Sequence, residues 1–194
     1  MIRYFKIGGE QKSWLEITRE ERLFCSELYH DIRKDIIMFV KFLNNNSSLN
    51  LDENTEWEIG YEVCFYRDFL KAQGKTIKSY NKLMEVKEKD FNPYPPKRTF
   101  DLCLFSNDQI VIIEAKVDQR FSKKQLDSLD KDKKLLTHVL KERGFNINVD
   151  TILLIPSNYP KESLKGFESK RIYWDQLGDY YNNKKLYYRA NILG

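Results

Sequence analysis

Cysteine is scarce in this chain, and the three present, Cys25, Cys64 and Cys103, are odd in number, far apart and set in apolar segments. That pattern excludes a disulfide framework, contains no zinc spacing, and reads as buried thiols in a reducing compartment. Histidine is scarcer still: His30 and His138 each stand alone in a helical pattern, and neither reads as a metal ligand. Long apolar runs are missing too. The opening Met1 to Gly9 lacks the apolar core of a signal peptide and no run approaches transmembrane length, so the expectation is a cytoplasmic protein without a membrane partner. Charge of one sign is in short supply, with a formal net charge of +4. That small excess is compatible with nucleic acid but does not demand it, so any binding surface must be a local patch.

What is present describes a globular chain. Its 194 residues are 41% hydrophobic, 32% charged and 14% aromatic. The aromatic content argues against disorder, and the length predicts one domain over residues 1–194 with a helical N-terminal part over about residues 1–50. No internal repeat is visible.

From the N-terminus, Ile2 to Ile7 predicts a short strand ending at Gly8-Gly9. Thr18 and Glu21 form a capping-box start, and Leu23, Phe24, Leu28, Ile32, Ile36, Phe39, Val40 and Leu43 recur at helical spacing until Asn44 to Ser48 breaks the pattern. Trp57 to Ala72 predicts a second helix ended by Gly74, in which Ile59, Val63, Phe65, Tyr66, Phe69 and Leu70 share an arc. Glu62 falls inside that arc and Glu58 near its edge. A carboxylate facing a core is unusual unless paired or metal-bound, so Glu62 is a candidate site residue and Glu58 its runner-up.

Residues 75–98 carry Lys75, Lys78, Lys82, Lys87, Lys89, Lys97 and Arg98, with Tyr80, Phe91 and Tyr94 interleaved and Pro93, Pro95 and Pro96 marking turns. Such a stretch suits a phosphate track with base stacking, or simply a solvated loop.

The chemistry concentrates between Thr99 and Val117. Two apolar segments flank Ser106 to Gln109, a β-hairpin pattern, and a symmetric loop sets Asp101 opposite Glu114. Directly opposed residues have Cβ atoms roughly 4.5–5.5 Å apart, and like charges that close weaken a sheet unless something compensates. A hard divalent cation would compensate, and Lys116, on the same side of the strand as Glu114, would add positive charge for phosphoryl chemistry. A salt-bridged, solvent-facing sheet surface is the other reading.

Asp101 followed across the hairpin by Glu114-Ala115-Lys116 resembles the active-site signature of the PD-(D/E)XK nuclease superfamily, the restriction-endonuclease-like fold. The resemblance spans about residues 58–175 by order of elements, with only the hairpin specific, and Phe100 stands where the family's name has Pro. It implies a three-layer α/β sandwich with a central mixed sheet flanked by helices. It also implies a metal-dependent endonuclease acting on DNA, restriction-like or defence-associated, with Mg²⁺, or Mn²⁺ in its place, held by Asp101, Glu114 and the Ala115 carbonyl, and with Lys116 assisting hydrolysis. Glu62 matches the additional helix-borne Glu of the family, and Gln125 its water- or phosphate-holding polar residue, although Ser122 and Gln125 also fit a capping box. Many enzymes of the fold work as homodimers. RNA as substrate and a non-catalytic nucleic-acid-binding or protein-interaction module stay open.

Further on, Leu126, Leu129, Leu136 and Leu140 form a helical stripe, Thr151 to Ile155 predicts a buried strand closed by Pro156, and Arg171 to Trp174 a last strand before a helix. The tail tyrosines Tyr180, Tyr181, Tyr187 and Tyr188 suit either base stacking or packing. The order of helices, hairpin, crossover helix and strand predicts an α/β sandwich with a mixed sheet.

Overall fold

The computed structural model describes residues 5–7, 10–12, 20–87 and 93–193. Its main sheet has five strands in the order β3 (Glu58–Val63), β4 (Phe100–Phe105), β5 (Gln109–Ala115), β6 (Asn148–Ile155) and β7 (Arg171–Tyr173), accompanied by helices, so the architecture is α/β. Strands β3, β4 and β5 are antiparallel and β6 runs parallel to β7, which makes the sheet mixed. The chain divides into two compact units, one formed by residues 1–53, 115–121 and 153–194 and the other by residues 54–114 and 122–152. Among the described residues, no helix is long and apolar enough to cross a membrane.

In the first unit, β1 (Phe5–Ile7) pairs antiparallel with β2 (Glu10–Lys12), while Ile2, the expected strand end at Gly8-Gly9 and the expected Thr18 cap lie outside the described residues. The long N-terminal helix of the sequence pattern is two helices, α1 (Glu20–Lys34) and α2 (Ile36–Asn46). The break is local chemistry: Asp35 has extended φ and ψ of −154° and 92°, and its carboxylate accepts the Met38 N–H at 2.9 Å as an N-cap. Phe24, Leu28 and Ile32 of α1 and Phe39, Val40 and Leu43 of α2 are buried. They share this core with Trp174 and Leu177 of α6 (Trp174–Tyr180) and Tyr187 of α7 (Lys184–Leu193). Trp174 packs on Phe24 at 5.7 Å and on Tyr187 at 5.9 Å between ring centroids, and Tyr180 donates to the Met38 carbonyl at 2.6 Å. The tail tyrosines are therefore mostly structural, and Tyr188 alone among the four is an exposed large side chain.

In the second unit, the predicted helix over residues 57–72 is corrected to strand β3 followed by α3 (Phe65–Ala72). The helical spacing of residues 63–70 is real only from Phe65 onward. Upstream, Gly60 lets the chain pass close to its neighbours: a Cβ there would lie 2.5 Å from Val63 Cγ2 and 3.3 Å from the Phe105 ring. Part of residues 75–98, a stretch whose sequence suits a phosphate track or a solvated loop, is also a helix, α4 (Ile77–Lys87), whose Ile77, Tyr80 and Met84 are buried at helical spacing. Tyr80 and Tyr94 are core residues, 2% and 1% exposed, with ring centroids 5.5 Å apart, and Tyr94 stacks on Tyr66 at 5.4 Å. Base stacking by those two tyrosines is thereby ruled out, and Phe91 lies outside the described residues. Helix α5 (Lys123–Lys141) starts at the capping box read from the sequence and buries Leu129, Leu136, Val139 and Leu140.

Candidate active site

The hairpin register is the one the turn chemistry dictates. Leu102 pairs with Ile113, Cys103 with Ile112, Leu104 with Val111 and Phe105 with Ile110. The loop closes through Ser106 N–H to the Gln109 carbonyl at 2.8 Å, with the Ser106 hydroxyl accepting the Gln109 N–H at 3.0 Å. Continued by one residue, this register brings Asp101 level with Glu114. The face they share continues through Cys103, Ile112 and Ile110, which pack in the core with Tyr66, Leu136 and Val139. The carboxylates thus end a covered apolar face, not the solvent-facing surface of the alternative reading, and Glu114 is 8% exposed.

A charge buried there needs a partner, and Arg98 supplies it. Its Nη2 donates to Glu114 Oε1 at 2.7 Å, its Nε donates to Asp132 Oδ2 at 2.7 Å, and Nη1 reaches the Thr99 carbonyl at 3.3 Å. The guanidinium lies over the Phe100 ring, 4.8 Å from its centroid. Tyr66 completes the network by donating to Asp132 Oδ1 at 2.9 Å. Burial works against the Arg98 charge, but the Glu114 and Asp132 carboxylates outweigh it and hold its pKa above the ordinary arginine value. Burial pushes the Asp132 carboxyl up despite the attraction of Arg98. Burial, with Asp132 adding, raises the Tyr66 phenol so far that it remains a donor. Burial likewise raises the Cys103 thiol well above its usual range, which removes it as a nucleophile.

Glu62 lies on β3 rather than on a helix, between the paired positions Tyr61–Leu102 and Val63–Phe100. That register levels it with Asp101. Its φ of +53° is left-handed, a strained conformation for a non-glycine residue inside a strand. Glu58 pairs with Phe105 at the other end of the strand, roughly 13 Å away at the usual rise per residue, and drops out as runner-up. Among the described residues, no group of three or more His, Cys, Asp or Glu side chains is arranged to hold a metal ion. A cation at the Asp101–Glu114 step would rest on two carboxylates, backbone carbonyl and water. Hard oxygen donors of this kind fit Mg²⁺, which keeps several waters of its own.

In the first unit, Lys116 is 7% exposed and its Nζ lies 3.0 Å and 3.2 Å from the two carboxylate oxygens of Glu21 on α1. The ammonium also stands over the Phe121 ring at 5.3 Å. Its backbone is tied at both ends: the N–H donates to the Leu154 carbonyl at 2.8 Å and the carbonyl accepts from Trp174 Nε1 at 2.8 Å. The helix-borne carboxylate beside the candidate lysine is therefore Glu21, and Glu62 is not on a helix.

Gln125 is exposed, and its side-chain oxygen accepts the Ser122 N–H at 2.9 Å while its own N–H donates to Ser122 Oγ at 3.2 Å. Capping accounts for it. The residues missed from sequence are Arg98, Asp132, Tyr66 and Glu21. Asp132 did carry a signal, since it interrupts the apolar stripe of Leu129 and Leu136 and is 3% exposed. Comparison of the chain with protein-family models, curated proteins and solved structures gives no match.

Proposed function

We propose that the chain is a metal-dependent nuclease that hydrolyses phosphodiester bonds in DNA, a restriction-like or defence-associated enzyme. The observation that carries the reading is the hairpin register, which sets Asp101 beside Glu114 at the end of a buried sheet face with Lys116 two residues on. Two opposed carboxylates weaken a sheet unless positive charge lies beside them, and a divalent cation would supply such charge in addition to Arg98.

Asp101, Glu114 and the Ala115 carbonyl would hold Mg²⁺ or Mn²⁺. When bound, such an ion supplies an acidified water and offsets charge on the leaving oxygen. The chain's own groups do the rest. Lys116, oriented by Glu21 and the backbone bonds on either side of its Cα, donates to a non-bridging phosphoryl oxygen and stabilises its growing charge. Arg98, clamped by Asp132, holds Glu114 in one rotamer, so its carboxylate is pre-oriented before substrate arrives. Tyr66 fixes Asp132 and so acts at one remove.

A second reading is a non-catalytic nucleic-acid-binding or protein-interaction module. The observation in its favour is that Arg98 already compensates Glu114. The test is cleavage of plasmid, linear duplex, single-stranded DNA and RNA with Mg²⁺ or Mn²⁺, with EDTA, and with Lys116→Ala. The nuclease reading expects metal-dependent cleavage by the wild type and its loss in Lys116→Ala. Cleavage by Lys116→Ala at the wild-type rate removes the assigned mechanism, and no cleavage of any substrate selects the module.

A further inference from the structure

A cavity of about 280 Å³ lies within the second unit, between the segment from Pro93 to Arg98 and helix α5. Pro93, Pro95 and Leu135 give it apolar walls, while Arg98, Lys131 and Lys134 bring positive charge. Among the described residues, Asp132 is the one acidic group in the lining, and it is already engaged by Arg98 and Tyr66. Lys131 and Lys134 are exposed, three apart on the helix and hence neighbours on its surface. Neither has an ion-pair partner among the described residues, whereas Lys133 between them is paired with Asp150 at 2.9 Å. Two uncommitted ammonium groups at the rim of a partly apolar pocket ask for a ligand with an anionic end and a flat apolar body.

We propose that this pocket binds a single nucleotide unit, its phosphate on Lys131 and Lys134 and its base against Pro93, Pro95 and Leu135. The volume lies just under the roughly 300 Å³ where small-molecule sites begin, which suits one nucleotide and not a longer segment. Acidic peptide side chains would satisfy the lysines but leave the proline rings without a flat partner. Arg98 belongs both to the cavity wall and to the Glu114 ion pair, so the occupied pocket adjoins the acid pair. In an enzyme of the kind proposed above, on which this last step rests, the pocket holds the nucleotide beside the scissile phosphate.

The experiment is calorimetric titration of the whole chain, in EDTA, with thymidine 5′-monophosphate, thymidine, inorganic phosphate and a short oligothymidylate. The monophosphate should bind saturably and at least about tenfold tighter than thymidine or phosphate alone. Lys131→Ala/Lys134→Ala should lose about tenfold or more, and Lys131→Arg/Lys134→Arg should retain binding. A monophosphate that binds no better than phosphate, or equally well to the double alanine variant, overturns the proposal. Oligothymidylate tighter than the monophosphate identifies a strand as the natural source, and the reverse identifies a free nucleotide; the pocket assignment stands in both. Because EDTA removes hydrolysis from the readout, the two proposals fail separately. Nucleotide binding without metal-dependent cleavage sinks the nuclease, and cleavage without nucleotide binding sinks the pocket.

Discussion

Replacing Arg98 by Met leaves Glu114 and Asp132 without the cation that makes their burial tolerable. The two carboxylates are 8% and 3% exposed, and each sits 2.7 Å from the guanidinium. Breaking a buried ion pair costs about 3–5 kcal/mol, and because the Arg98 side chain keeps 24% of its surface the lower end applies, about 3 kcal/mol. The loss depends on pH with a definite sign. The folded-state pKa of Asp132 is raised above its ordinary 3.8, so its contribution to stability is present below that value and is lost as pH rises through the folded pKa. Arg98 limits that loss, so Arg98→Met should cost most near neutral pH and least in acid, where the Asp132 carboxyl protonates. Urea unfolding followed by tryptophan fluorescence measures this, since Trp57 is a buried reporter in the same unit. The double variant Arg98→Met/Asp132→Leu should be less damaged than the single one, because replacing both partners by apolar groups removes the orphaned charge. A loss below about 1 kcal/mol, the range of an exposed salt bridge, or a loss unchanged between neutral and acid pH, shows that Arg98 does not neutralise buried carboxylates.

Glu62→Gly should be more stable than Glu62→Ala by about 1 kcal/mol in thermal unfolding, because only glycine adopts φ +53° without strain. Gly60→Ala should destabilise by about 1–3 kcal/mol, since its Cβ meets Val63 Cγ2 at 2.5 Å; an unchanged melting temperature contradicts the tight crossing. Tyr187→Phe removes the donor to Asp31 Oδ2 at 2.7 Å and should cost about 1 kcal/mol at neutral pH. Burial raises the Asp31 pKa, but its bonds from Lys34 and Tyr187 win and lower it below 3.8. Its contribution is thus whole above that value and disappears as pH falls through the folded pKa. Circular dichroism on acid titration should therefore find the acid transition of Tyr187→Phe at higher pH than that of the wild type.

The hairpin was legible from sequence because a polar turn between apolar segments leaves one register that keeps both faces buried, and β4 pairs with β5 in that register. The capping box at Ser122 and the strand ending at Ile155 were legible for similar local reasons. Residues 57–72 were not. Ile59 and Val63 fall by coincidence in helical phase with the real helix from Phe65, and a strand-to-helix junction at Cys64 leaves no glycine or proline to mark it. Helix α4 was hidden because Lys78, Ser79, Asn81 and Lys82 dilute the apolar signal of Ile77, Tyr80 and Met84. In sequence Arg98 is one member of a basic run, since nothing local distinguishes a guanidinium that folds inward from one that stays in water. Its partner Asp132 is 34 residues away, and Lys116 meets Glu21 across 95. Such long-range ion pairs are tertiary facts, invisible to any window of neighbouring residues.

Titration with Mn²⁺ followed by electron paramagnetic resonance decides whether Asp101 and Glu114 share a divalent cation. A shared cation gives saturable binding to the wild type that is lost in both Asp101→Asn and Glu114→Gln. Absence of binding to the wild type, or undiminished binding to either variant, would contradict it.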